Sequence, residues 1–380
     1  MNLALDEDQE LLAKTATDWV TENSPVTRVR ELRDKEDPDG FSRAAWKEMA
    51  ELGWVGIPFS ESHGGAELGM AELAVVLEAL GRNLAPEPFL STVLLVGRAL
   101  QLSGNEEHAK RWLPQVVEGD AILALAYQEA NSRYDLNRVS TKAEQKGAGF
   151  ALSGEKVQVL DGASADALVV SARTSGEAGD ADGITLFVVP RASSGLEVVR
   201  QHRVDSRHIA MVRLNGVEVG AGDVLGEVGA GGALLERVVD YATVGLCAEM
   251  LGSMLEALDR TLMYLRTREQ FGVPIGSFQA LKHRATELFV EVELSRSTVM
   301  AAARALDEDA PDTVKLVSLA KARCSDAALL VGHEAVQMHG GIGMTDEHDI
   351  GFYLKRARVA QITFGDAAWH RERWARLNGY

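Results

Sequence analysis

Cysteine and basic side chains are scarce in this chain of 380 residues. Only Cys247 and Cys324 occur, far apart and without metal-ligand spacing, which argues against a disulfide framework and predicts no metal site. Lysine and arginine total 39 against 56 aspartates and glutamates, a formal net charge of -17. Because this charge repels phosphate backbones, the sequence predicts no nucleic-acid partner.

Long hydrophobic runs are also missing. No uninterrupted apolar stretch has the length that a membrane-spanning helix needs. The first residues, MNLALDEDQELL, are acidic and amphipathic, whereas a targeting segment is basic and then apolar. We therefore expect an unprocessed cytoplasmic protein that has no membrane partner.

The hydrophobic periodicity predicts helix, then sheet, then helix. Apolar residues recur at helical spacing as far as about Gly119, and short β-rich runs such as ALVVSAR and ITLFVVP follow. Helical periodicity returns beyond Gly232. The prediction is a mostly α-helical protein with a central β domain. Its domains would be an N-terminal helical domain over 1–120, a β domain over 121–228 and a C-terminal helical bundle over 229–380.

Four separated segments carry more specific information. The first two are ELGWVGIPFSESHGGAELGMAELAVVLEALGR, from Glu51, and GEKVQVLDGASADALVVSART, from Gly154. The others are YLRTREQFGVPIGSFQALKHRATELF, from Tyr264, and AVQMHGGIGMTDEHDIGFYLKRARVAQITFGD, from Ala335. In this order, and over essentially the whole chain, they resemble the acyl-CoA dehydrogenase flavoproteins.

The resemblance implies a fold, a cofactor and a reaction. The fold would comprise an N-terminal helical domain, a β-barrel or sandwich domain and a C-terminal four-helix bundle. FAD would be the cofactor, an acyl-CoA thioester the substrate, and electron-transfer flavoprotein or a similar protein the electron acceptor. Family members build each FAD site from two chains, which implies a homodimer, a homotetramer or a heteromer.

Individual residues match the family's cofactor contacts. Arg268 matches an arginine that pairs with the FAD pyrophosphate of a neighbouring subunit, where a planar cation suits two anionic oxygens. Glycines in QMHGGIG let backbone N–H groups approach the cofactor closely. The matched positions are Arg268, Gln270, Phe271, Gln279, Gln337, Gly340, Gly341 and Gln128.

The catalytic positions depart from the family pattern. The family removes the substrate α-proton with a glutamate, which most members carry near the C-terminus and a minority on the first helix of the C-terminal bundle. These positions match Phe364 and Ala242, neither of which accepts a proton. Two more departures lie in the β domain, where Gln158 and Leu160 replace the family's tryptophan and threonine beside the flavin.

Two acids remain as candidate bases. Asp366 lies beside the usual position, but an acid there can equally cap the helix AAWHRERWARL. Asp240 lies two residues before the alternative position, and half a helical turn would point it elsewhere. For both, the structural interpretation is the simpler one, and the catalytic residue stays unassigned.

Three functions are consistent with this pattern. Within the family, the departures most resemble the small, base-lacking subunit of pimeloyl-CoA dehydrogenase and related heteromeric acyl-CoA dehydrogenases. The leading hypothesis is therefore a flavoprotein subunit that works with a glutamate-bearing partner. The alternatives are a complete homomeric dehydrogenase with an unrecognised carboxylate and a non-enzymatic assembly scaffold.

Overall fold

A computed structural model describes residues 3–380, which contain eleven α-helices. They are α1 (Glu7–Asn23), α2 (Val26–Asp34), α3 (Arg43–Glu51), α4 (Met70–Arg82), α5 (Arg98–Leu102), α6 (Glu106–Val117), α7 (Gly231–Thr267), α8 (Gln279–Asp307), α9 (Thr313–His339), α10 (Ile350–Ile362) and α11 (Ala367–Leu377). A buried π-helical segment, Phe89–Gly97, directly precedes α5.

Polar residues determine where several helices begin. At the start of α1, the backbone N–H of Gln9 donates to Asp6 Oδ1 at 2.9 Å, and the backbone N–H of Asp6 donates to Gln9 Oε1 at 3.2 Å. Ser42 and Asn105 accept backbone N–H groups at the starts of α3 and α6. Because a helix leaves its first N–H groups without internal acceptors, these caps define the starting points.

Between the helical segments lies one eight-stranded sheet. Its strands are β1 (Leu123–Ala126), β2 (Lys142–Lys146), β3 (Gly149–Leu160), β4 (Ala167–Arg173), β5 (Ile184–Pro190), β6 (Leu196–His202), β7 (His208–Val219) and β8 (Val224–Leu225). They follow the order β6-β7-β3-β2-β4-β5-β8, and β1 pairs in parallel with β4. The predicted fold class, mostly α-helical with a central β domain, is confirmed.

Strands β4 and β5 of the sheet are almost completely buried. All seven residues of β4 are buried, and Leu168 and Val170 pack in one apolar cluster with Phe187 and Val189 of β5. A strand covered on both faces is apolar at almost every position, which accounts for the run ALVVSAR. The edge strand β6 is only partly buried and carries charged side chains.

Packing divides the chain into two discontinuous units. The helical unit comprises Met1–Asp34, Gly69–Ala85 and Thr243–Tyr380, and the sheet unit comprises Lys35–Leu68 and Pro86–Ala242. The predicted domain borders follow secondary structure, whereas these units follow contacts between distant segments. The borders at 120 and 228 therefore stay a prediction.

Helix α7 is long and apolar enough to cross a membrane by length and composition alone. However, 94% of its most apolar window is buried inside the protein, as in a core helix. The expectation from the sequence concerned uninterrupted apolar runs, and α7 is not such a run. Charged residues such as Asp240 and Glu249 interrupt its apolar sequence, while the helix itself is continuous.

Candidate cofactor site and base positions

A hairpin after α7 carries two of the predicted cofactor residues, Gln270 and Phe271, and a third, Arg268, directly precedes it. Its strands, β9 (Glu269–Gln270) and β10 (Val273–Pro274), are joined by Phe271 and Gly272, whose φ angles are 57° and 78°. Two consecutive left-handed residues suit a two-residue hairpin turn. The turn leaves Phe271 90% exposed, with its ring in edge contact with that of Phe278 at 6.1 Å. An exposed ring of this kind can stack on a planar ligand group.

Polar side chains lie close in sequence to the exposed Phe271 ring. Arg268 and Gln270 are exposed, and no carboxylate within residues 3–380 forms an ion pair with the Arg268 guanidinium. Gln279, also exposed, begins α8 with its amide nitrogen 3.4 Å from His283 Nε2. A guanidinium without an internal partner beside exposed amides can bind an anionic, nucleotide-like ligand.

The end of α9 supplies a second group of predicted residues, the exposed Gln337 and the glycines that follow His339. Gly340 has φ 65° and ψ -141°, a conformation essentially restricted to glycine. A Cβ added to Gly340 or Gly341 would meet no atom within 4 Å. The space beside this backbone is therefore open, and its N–H groups can be approached closely.

Stacked rings bring the hairpin and the end of α9 together. Tyr264, one turn before Arg268 on α7, stacks on His339 with ring centroids 4.5 Å apart, and His348 lies 4.6 Å from His339. The backbone N–H of Arg268 donates to Tyr264 O at 2.8 Å. Burial lowers the pKa of His339, which favours the neutral ring at physiological pH. The two predicted motifs thus share one end of the helical unit.

In the sheet unit, Gln128 lies beside a β-bulge. Strand β3 has one extra residue between Lys156 and Val159, and Gln158 in this bulge has φ 55°. The backbone N–H of Val157 donates to Gln128 O at 2.8 Å. The Gln128 side chain donates to Arg133 O at 2.9 Å. Bulges re-aim side chains next to functional sites, and this one leaves Gln158 exposed.

A buried ion pair supports this bulge. Lys156 Nζ lies 2.8 Å from Glu129 Oε1 and donates to Ser171 Oγ at 3.1 Å. Burial lowers the pKa of Lys156 to about 8 despite its partner. Burial also opposes ionisation of Glu129, but Lys156 and the backbone N–H groups of Ser140 and Thr141 outweigh it and lower the pKa of that carboxyl.

Neither predicted base position offers a proton acceptor. Phe364 is 9% exposed and Ala242 is fully buried. Asp366 is the N-cap of α11, where its Oδ1 accepts the backbone N–H of Trp369 at 2.9 Å. Asp240 lies within α7 and is 6% exposed.

The sequence reasoning missed one residue near Phe364. Lys321 of α9 is fully buried, and its Nζ donates to Gly365 O at 2.8 Å. His370 of α11 is also buried, 1% exposed, and its Nε2 lies 3.0 Å from Phe364 O. A lysine inside the apolar run LVSLAKARC was the available signal, but lysines in helices usually face water.

The two halves of FAD fit these residues unequally. The open glycines and the exposed hairpin with Arg268 and Phe271 suit the pyrophosphate and adenosine. In the sheet unit, the Gln128 amide already donates to Arg133 O. Gln158 and Leu160, which match the family's flavin-facing tryptophan and threonine, have neither an aromatic ring nor a hydroxyl group. The residues present therefore fit the nucleotide half well and give the flavin ring fewer contacts.

Three adjacent matches assign these features to one class of flavoproteins. Family models described as the N-terminal, middle and C-terminal domains of acyl-CoA dehydrogenase match residues 6–120, 124–217 and 229–377. The chain therefore belongs to the acyl-CoA dehydrogenase family. Members are FAD-dependent oxidoreductases that act on CH–CH donors, and the predicted family, enzyme class and cofactor are confirmed.

Several known proteins are similar over nearly the whole chain. Acyl-CoA dehydrogenase FadE27 of Mycobacterium tuberculosis is 30% identical over 343 residues, which cover 88% of each chain. The ChsE4–ChsE5 complex from the same organism is 29% identical, with a TM-score of 0.90 over all of both chains. A variant of the steroid ACAD Tcur3481–Tcur3483 is 30% identical, with a TM-score of 0.87 over 98% of both chains.

Proposed function

We propose that this chain is a subunit of a heteromeric acyl-CoA dehydrogenase and that a glutamate-bearing partner subunit supplies the catalytic base. The observation that carries the proposal is Phe364, a side chain with no proton acceptor at the position that matches the family's base in sequence. The retained cofactor residues around Arg268 and Gly340 would complete FAD binding at the shared subunit interface. One relative, ChsE4–ChsE5, is described as a complex of two proteins, which supports this assembly.

The chemistry explains why a partner is needed. Dehydrogenation removes a proton from Cα of the thioester and a hydride from Cβ, and FAD, when bound, supplies the hydride acceptor. The Cα proton requires a base within hydrogen-bond reach. A phenyl ring at 364 and a methyl group at 242 have no lone pair to accept it. This chain's own residues would therefore bind and orient without taking the proton.

Exposed apolar side chains support association with another chain. On α8, Phe289, Val290 and Leu294 are 56%, 46% and 48% exposed. Contiguous apolar surface on a soluble chain usually marks an interface. We propose that the chain forms a dimer or a larger assembly with a glutamate-bearing subunit. Its electron acceptor would be electron-transfer flavoprotein or a similar protein, and its location would be cytoplasmic.

Co-expression with glutamate-bearing acyl-CoA dehydrogenase chains from the same genome tests the proposal. We expect a stable yellow complex that oxidises an acyl-CoA, whereas this chain alone has no turnover. The matched control is the same complex with Arg268→Ala, which should retain less FAD without dissociating.

Two results would contradict the proposal. Turnover by this chain alone at ordinary rates would favour a homomeric enzyme, and loss of that turnover in Asp366→Asn or Asp240→Asn would identify its base. A complex that stays colourless after FAD is added would favour a non-enzymatic scaffold.

A further inference from the structure

The turn from Thr363 to Asp366, which joins α10 to α11, has an unusual backbone. Phe364 has φ 60°, a region that bulky residues rarely adopt, and Gly365 has φ 113°. A Cβ added to Gly365 would lie 2.7 Å from both His370 Nε2 and Trp369 Cε3, so the turn is also closely packed. Strain of this kind persists only where the surroundings over-determine it, and it is concentrated at functional sites.

Lys321 holds this turn from α9. Its Nζ donates to the carbonyl oxygens of Gly365 at 2.8 Å and Gln361 at 3.0 Å, and to Ser325 Oγ at 3.0 Å. These three bonds use all of its N–H donors. Burial lowers the pKa of Lys321 to about 8, which still leaves it mainly protonated at pH 7. Because the side chain is fully buried, water does not compete for these bonds.

His370 holds the same turn from α11. Its Nε2 lies 3.0 Å from Phe364 O, and its ring is 1% exposed. Burial, together with the charge of Lys321, lowers the pKa of His370 to about 3, so the ring is neutral at physiological pH. A neutral ring at hydrogen-bond distance from a carbonyl oxygen carries its proton on that nitrogen. His370 therefore donates to Phe364 O.

We propose that Lys321 and His370 are positioning residues that hold residue 364 in the left-handed conformation. They bind backbone carbonyl groups and not the side chain at 364, so the direction of that side chain is set independently of its identity. The inference rests on the proposed function in one respect, the match of position 364 with the family's base. The turn would thus retain the backbone contacts that position a catalytic side chain, although this subunit has no carboxylate at position 364.

Glycine and alanine at position 364 test the role of Lys321. Phe364→Gly and Phe364→Ala both remove the ring, so the difference between them reports the backbone conformation. In the left-handed region, we expect the glycine variant to have a folding equilibrium constant roughly 5 to 30 times larger. In a Lys321→Met background, the ratio of the two folding equilibrium constants, glycine to alanine, should fall to one or below. Outside the left-handed region glycine is the less stabilising residue. Urea unfolding of the FAD-loaded protein measures this ratio.

His370 provides the second test if Lys321→Met does not fold. His370→Leu removes the N–H donor, and the ratio of the folding equilibrium constants of the glycine and alanine variants should then fall to about one. His370→Gln keeps an N–H donor and should preserve that ratio. A purely structural histidine or lysine would destabilise the glycine and alanine variants equally. An unchanged ratio in both Lys321→Met and His370→Leu would overturn the proposal.

An activity measurement separates this inference from the proposed function. Phe364→Glu should gain slow flavin reduction by acyl-CoA, and adding His370→Leu should lower kcat with little change in KM, while His370→Gln retains the gain. If the stability ratios behave as expected and Phe364→Glu stays inactive, the positioning role holds and the assignment of residue 364 to the base position loses its support.

Discussion

Removal of Lys156 should be costly, because it would leave Glu129 buried without its cation. Glu129 is 6% exposed and would keep only the backbone N–H groups of Ser140 and Thr141. The carboxyl would then take up a proton. Holding it neutral at pH 7 costs about 1.4 kcal/mol for each pH unit above its ordinary pKa of about 4.5, or about 3.5 kcal/mol. Measured costs of breaking buried pairs are similar, about 3–5 kcal/mol.

The dependence on pH identifies the cause. The folded Lys156→Met protein would hold a proton that the unfolded chain releases, so its deficit grows as pH rises above about 4.5. We expect a loss of about 3.5 kcal/mol at pH 7 and about 0.7 kcal/mol at pH 5 in urea unfolding. The matched control, Lys156→Met with Glu129→Gln, should recover part of the loss at pH 7. A loss that is equal at both pH values would refute this reasoning and indicate a packing defect instead.

Three further results are expected. Arg268→Ala should weaken FAD retention by roughly one to two decades without unfolding the chain, since a charge-assisted contact contributes about 1.5–3 kcal/mol; unchanged affinity would make Arg268 an ordinary surface residue. Sedimentation at micromolar concentration should show at least a dimer, because a monomer would expose the apolar face around Phe289. The pKa of His370 is lowered to about 3 in the folded protein, so between about pH 6.5 and 3 the imidazole ring takes up a second proton only in the unfolded chain. Stability should therefore fall with decreasing pH by up to about 1.4 kcal/mol per unit, and His370→Gln should remove that part of the acid sensitivity.

The family, the fold class and the cofactor were predictable because they depend on the order of local patterns. The alternation of helical and β periodicity and segments such as RTREQFG and QMHGGIG are readable without any contact map. The cap at Asp366 was also among the interpretations, since an acid before an apolar helix satisfies its first N–H groups.

Other features depend on contacts between distant parts of the chain. Lys321 and Gly365 are 44 positions apart, and only packing makes that lysine a buried donor. The bulge at Gln158 places a glutamine at positive φ, which no residue preference predicts. The two packing units combine segments far apart in sequence. Hydrophobic periodicity gives the helices of each segment but not which segments pack together.

Anaerobic addition of acyl-CoA thioesters of several chain lengths to the FAD-loaded chain shows whether this subunit has a catalytic base of its own. We expect flavin absorbance to persist in the unmodified chain alone, because Phe364 and Ala242 cannot accept the α-proton. Adding the glutamate-bearing partner should produce bleaching. Rapid and complete bleaching by the unmodified chain alone would contradict the account and require a carboxylate base elsewhere in this subunit.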